Sequence, residues 1–454
     1  MLRERGSFRD AGNQVFHGSD AVYRALDAEA AADWDAFAAS PLRADARIVP
    51  TEQVDQAPDG WTALLRHERL PFVSYAYEWP FSMLQRAALL QLELLIAAVE
   101  NGLMLKDGTP YNVQWRGTEP LFIDLGSFER LRDGEPWAGY RQFCQLQLFP
   151  LMLQAYRDVS YHAWLRGSLE GITPAELRNV LRFRDRFHRG VLTHVVLHAK
   201  LEARYADRTR EVRSELRKAG FRKEIVLANA RKLHSIVGGL DWNGSSAAWS
   251  DYGTANTYGE SDTELKAAFV RDAAEGLRPG LVWDLGCNDG RFAEIAAAHA
   301  DAVVAIDGDH AVIDTLARRL AAKGNTVILP LVGDLADPAP GRGWRGVERR
   351  SFNERGTPDL TLALALVHHL AITRNVPLAE LVDWLAAPGG SVVVEWVEPG
   401  DPMAKRLLAP KREGLHGDYT RAEWERLLVE RFDVERTQEL NDGLRVLYLA
   451  HPRG

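Results

Sequence analysis

The spacing of apolar residues changes along the chain. Five runs in the C-terminal half, 281–285, 303–307, 327–331, 360–367 and 389–395, are apolar with little alternation. Such runs suit strands of a parallel sheet covered on both faces. The stretch 291–299 behind the first run reads as helix. The N-terminal half is different. Short strand candidates at 14–16 and 21–26 flank the turn Gly18-Ser19-Asp20, and further candidates lie at 47–50 and 61–65. The stretch 27–39 is alanine-rich and helical. A long helix is predicted over 82–101, with Leu84, Ala87, Ala88, Gln91, Leu92, Leu95 and Val99 on one face and Gly102 at its C-terminal end. Residues 137–205 are helical and aromatic-rich, 206–223 is a charged run that reads as a solvated helix face, and 341–356 is an arginine-rich insertion. The pattern divides the chain into an N-terminal α+β module (1–210), a helical linker (211–260) and a C-terminal α/β domain (261–454).

The chemistry concentrates where the first of the five runs ends. Asp284-Leu-Gly286-Cys-Asn288-Asp-Gly290 is a strand breaking into a glycine-rich turn before a helix. Glycine lets the backbone turn sharply and approach a ligand closely. A dinucleotide fingerprint would read G-x-G-x-x-G; Asn288 and Arg291 stand at its second and third glycine positions, which disfavours NAD and FAD. The stretch instead resembles motif I of the class I S-adenosylmethionine (SAM) methyltransferases. That resemblance continues through the four later runs, which look like the second to fifth strands, and it implies a Rossmann-like, doubly wound, mostly parallel α/β sheet, SAM as cofactor, and cofactor contacts from Asp284, Gly286, Asn288 and Gly290. It also implies Asp307 on the ribose hydroxyls and Asp334 and Leu335 beside the adenine. Tyr258, with Tyr252 and Asn256, is a lid candidate in the linker. His368 and His369 follow the fourth run, at the edge where ligands bind in open α/β sheets. One of them is the candidate general base for a hydroxyl or amine acceptor. Glu395, ending the fifth run, is the candidate partner of that base or a substrate ligand. No metal site is expected.

In the N-terminal module, Asp107-x-x-x-x-Asn112 followed by Asp124-x-Gly126 reads plainly as two strands about a polar turn. It also resembles the catalytic loop and metal-binding Asp of kinase-like phosphotransferases. Leu105-Lys106 replaces the usual His-Arg, no glycine-rich loop precedes it, and Arg24 is the nearby stand-in for the missing lysine. More of the chain resembles a bacterial group of methyltransferases that includes a rhizobial nodulation-associated protein. The shared stretches are 72–79, 106–129, 362–370 and Asp418-Tyr419-Thr420. Thr420 with Glu423 looks like a capping box.

Composition narrows the partners. A net charge of -8 gives no broad attraction to nucleic acid. Two cysteines suit a reducing cytosol, and the N-terminus lacks a signal-peptide core. A membrane association is not expected, and the location read from these features is cytoplasmic. The readings that remain are a methyltransferase acting on a hydroxyl, or second an amine, of a small molecule or glycan; a bifunctional kinase–methyltransferase; and a non-catalytic SAM-binding protein.

Overall fold

The computed structural model describes residues 1–132, 134–197, 222–244 and 260–453. The chain forms two compact units. The first comprises Met1–Trp115, Pro120–Asn243 and Arg342–Arg349; the second comprises Arg116–Glu119, Gly244–Gly341 and Arg350–Gly454. The N-terminal unit thus runs past the expected end at 210. The helix Lys223–Gly238 belongs to it and packs on the long helix Phe81–Glu100.

In the first unit, strands β1 (Leu2–Arg3), β2 (Asn13–His17), β3 (Ala21–Leu26), β4 (Thr51–Val54) and β5 (Ala63–Glu68) form an antiparallel sheet in the order β1-β2-β3-β5-β4. The helix Ala28–Ala38 interrupts the meander, started by Asp27, whose carboxylate accepts the Ala30 N–H. The helix Phe81–Glu100 is the apolar axis of the unit, with both its leucine-rich faces buried. Among the described residues it alone is long and apolar enough to cross a membrane, and 67% of its most apolar window is buried in the protein. Gly102 follows at φ +76, where a side chain would be strained. Next come β6 (Leu103–Leu105), β7 (Val113–Arg116), β8 (Glu119–Phe122) and β9 (Phe128–Arg130), with β6 paired to β9 and β7 to β8. Of the aromatic residues beyond them, Trp137, Phe143, Phe149 and Tyr161 are buried in the core, while Phe183 and Phe187 are exposed.

The second unit carries β10 (Leu281–Leu285), β11 (Ala302–Asp307), β12 (Ile328–Val332), β13 (Leu360–Ala363), β14 (Ser391–Val397), β15 (Phe432–Leu440) and β16 (Arg445–Pro452). Their order is β12-β11-β10-β13-β14-β16-β15. The first five are parallel, and β16 enters antiparallel between β14 and β15. Every residue of β10, β12, β13 and β14 is buried, as expected of strands covered on both faces. Strand β15 alternates because it is the edge. The strand order reverses between β10 and β13, the kind of switch point whose carboxyl edge binds ligands in open α/β sheets. The five apolar runs are therefore the five parallel strands, and the doubly wound sheet that the resemblance implied is present.

Candidate functional site

The turn after β10 owes its shape to three left-handed residues: Gly286 (φ +78), Asn288 (φ +48) and Gly290 (φ +80). Asparagine is among the few side chains that tolerate this region, which is why it can stand where a glycine is usual. The Gly286 and Cys287 N–H groups both donate to the Ile306 carbonyl, at 2.8 and 3.1 Å. A Cβ on Gly290 would lie 2.7 Å from Leu316.

Asp284 is sealed under the turn, 2% exposed. Burial, reinforced by the Asp307 carboxylate, pushes its pKa up to about 7. Its Oδ2 has no hydrogen-bond partner. Asp307 ends β11 with both oxygens presented: Oδ2 accepts the Asn288 N–H at 3.0 Å and Oδ1 the Asp309 N–H at 2.9 Å. Burial raises its pKa while these N–H groups oppose the rise. Cys287 is buried, and burial drives its thiol well above the ordinary range, which suits packing rather than attack. Asp334 is exposed; it accepts the Ala336 N–H and pairs with Arg374, beside half-buried Leu335. Tyr258, Tyr252 and Asn256 lie outside the described residues.

His368 and His369 begin a single helical turn past β13, with rings 4.2 Å apart and inclined by 39°. His368 is 1% exposed, and burial, then the neighbouring His369, holds it well below the usual imidazole range. Burial and Arg445 lower His369 to about 4. Both rings are therefore neutral near pH 7. Glu395 is fully buried. Its Oε2 accepts from Lys266 Nζ at 2.6 Å and from the Ala365 N–H at 2.9 Å, and its Oε1 lies 3.3 Å from Arg445 Nη1. Asp401 in turn holds Arg445 at 2.8 Å. Burial pulls the Lys266 ammonium below its ordinary range, with Glu395 opposing. Sequence reasoning missed Lys266, Arg445 and Asp401. The available signal was a lysine on the apolar face of the helix Glu260–Leu277, one turn from Phe269 and Val270.

In the first unit, Arg24 Nη2 lies 2.8 Å from Asp124 Oδ1. Burial and the Asp124 charge raise Asp107. Asn112 is buried, and its Nδ2 has no partner. A Cβ on Gly126 would come 2.6 Å from Asn13 Oδ1 and 3.0 Å from Arg24 Nη1. No group of three or more His, Cys, Asp or Glu among the described residues is placed to hold a metal ion.

No protein-family profile matches the sequence. The chain is 34% identical to the nodulation protein NoeA of Rhizobium meliloti (strain 1021), across 98% of this chain and 95% of that protein. Among solved structures it resembles the N-methyltransferase NodS of Bradyrhizobium japonicum WM9 in complex with S-adenosylhomocysteine. There the identity is 13% and the TM-score 0.32, over 45% of this chain and 96% of that one. It also resembles the magnesium protoporphyrin IX methyltransferase ChlM of Synechocystis PCC 6803 with bound S-adenosylhomocysteine. The identity is 15% and the TM-score 0.31, over 45% and 95% of the two chains.

Proposed function

The chain belongs to the family of the nodulation protein NoeA, and from that premise and its own rim geometry we propose that it is a SAM-dependent methyltransferase. The proposed acceptor is a hydroxyl, with an amine second, on a small molecule or glycan. The observation that carries the reading is the turn over Asp284. Three left-handed residues bring the backbone to the switch point of the sheet, above a buried carboxylate with an unsatisfied oxygen. Buried polar atoms left without a partner are uncommon and call for an explanation. A ligand bearing positive charge satisfies this one. At the next strand end, each Asp307 oxygen takes one N–H and keeps capacity for a hydroxyl donor. The residues present thus fit SAM.

When bound, SAM supplies an electrophilic methyl group on a sulfonium. The protein's part is to align the acceptor and exclude water. Gly286 would let the cofactor approach the turn, Gly290 makes room for Leu316 beneath it, and Asp307 would hold the ribose hydroxyls. A neutral imidazole of His368 or His369 takes the acceptor's proton through an unprotonated ring nitrogen; His368 Nδ1 has no partner. Calorimetry with S-adenosylhomocysteine tests the reading. Wild type is expected to bind, Gly286→Val to lose binding, and Asp307→Ala to weaken it roughly 10- to 150-fold, for a charge-assisted bond of about 1.5–3 kcal/mol. Unchanged affinity in both folded variants would overturn it.

For the N-terminal unit we propose acceptor recognition rather than phosphoryl transfer. The Arg24 guanidinium already pairs with Asp124, the carboxylate that phosphoryl transfer would commit to a metal. Purified protein with its acceptor is expected to show no magnesium-dependent ATP consumption. Stoichiometric ADP release abolished by Asp124→Ala would instead establish a bifunctional kinase–methyltransferase.

A further inference from the structure

Strand β13 ends at Ala363, and two residues later Ala365 holds φ +51. A Cβ disfavours this left-handed region, so surrounding structure must enforce it. The enforcing contact is the Ala365 N–H donated to Glu395 Oε2 at 2.9 Å. Glu395 has no exposure, and a lone carboxylate in such surroundings would be costly. Lys266 Nζ, itself only 5% exposed, answers it at 2.6 Å, and Arg445 meets the other oxygen. The loop so held faces two ways. Leu366 packs against the cofactor turn, its Cδ1 3.4 Å from where a Cβ on Gly286 would stand. His368 and His369 follow directly, with the His369 N–H bonded back to the Leu366 carbonyl at 3.0 Å.

We propose that Lys266, acting through Glu395, is a positioning residue that holds residues 364–369 in the shape required by both the cofactor turn and the imidazole pair. Its helix reaches the site from before the first strand of the sheet. The inference rests on the cofactor reading for its effect on ligand affinity and on the contacts alone for its effect on the histidines.

The test uses full-length protein with isotope-labelled histidine and S-adenosylhomocysteine as probe. Lys266→Met is expected to move the His368 and His369 ring resonances and to weaken the probe about tenfold. Adding Ala365→Gly is expected to restore most of the affinity, because glycine adopts a positive φ without the steric cost of a Cβ. Loss of charge alone would shift the histidine titrations without being undone by that glycine. Glu395→Gln, nearly isosteric, carries the same comparison where Lys266→Met fails to fold. Unmoved histidine resonances in Lys266→Met, or a double variant no better than the single one, would overturn the proposal. A wild type that does not bind the probe defeats the cofactor reading; the histidine resonances then decide the positioning role by themselves.

Discussion

Two side chains at the sheet rim give the protein opposite responses to pH. Asp284 titrates at about 7 when folded and at about 3.9 when unfolded. The folded state therefore holds more protons between those values, and stability falls as pH rises from about 4 to 7. Asp284→Asn is expected to remove that slope, read as the thermal midpoint at a series of pH values without ligand. A variant that keeps the wild-type slope would show that Asp284 is not its source. His369 runs the other way. Its folded pKa of about 4 lies below the unfolded value near 6.5, so its contribution is present above pH 6.5 and is lost as pH falls towards 4. His369→Gln is expected to flatten that acid limb. If His369 is also the base, its replacement costs on the order of 10²–10⁴ in turnover. The acid limb of wild-type turnover should then lie near pH 4 rather than near 6.5. Strand ends and a glycine turn marked both side chains in the sequence as candidates. Their protonation was not legible, because it depends on burial by residues distant in sequence.

At the scale of elements, the most consequential feature is the ladder Lys266–Glu395–Arg445–Asp401, which joins a helix to β14, β16 and the Asp401-capped helix Pro402–Leu408. Breaking a buried ion pair from one side costs about 3–5 kcal/mol, since the partner charge stays buried. Arg445→Met is expected to lower the denaturation midpoint of the C-terminal unit accordingly. Thr420→Ala, which removes the cap on the helix Arg421–Arg431, should cost only about 0.5–2 kcal/mol. Equal effects of the two would contradict a charge ladder. Sequence pattern located four of the five parallel strands and the long N-terminal helix to within two residues, because continuous burial and one-faced periodicity write directly into the residues; the fourth run, 360–367, overshot β13, which ends at Ala363. The pattern placed Glu395 at the rim as a candidate partner of the base or a substrate ligand. The carboxylate is buried and bonded to Lys266, Ala365 and Arg445. The pattern did not reveal the antiparallel insertion of β16, since pairing order depends on the fold as a whole.

At the scale of the whole molecule, neither unit is a continuous segment. Residues 342–349 complete the first unit: Glu348 pairs with Arg9 at 2.7 Å, and the Arg349 guanidinium sits 3.9 Å from the centre of the Tyr111 ring. A fragment ending at 243 therefore lacks those partners. It is expected to be cleaved faster than the same region of the intact chain in limited proteolysis; equal resistance would show that the segment adds nothing to the unit.

The same arrangement sets a schedule for synthesis. The first unit's main body is complete at residue 243, but its last piece leaves the ribosome only after residue 349. At translation rates of about 5–20 residues per second, that interval lasts roughly 5–20 s. The nascent first unit must persist through it with the Arg349 place against Tyr111 unfilled. On this arrangement the last piece of the first unit is made only after synthesis of the second unit has begun.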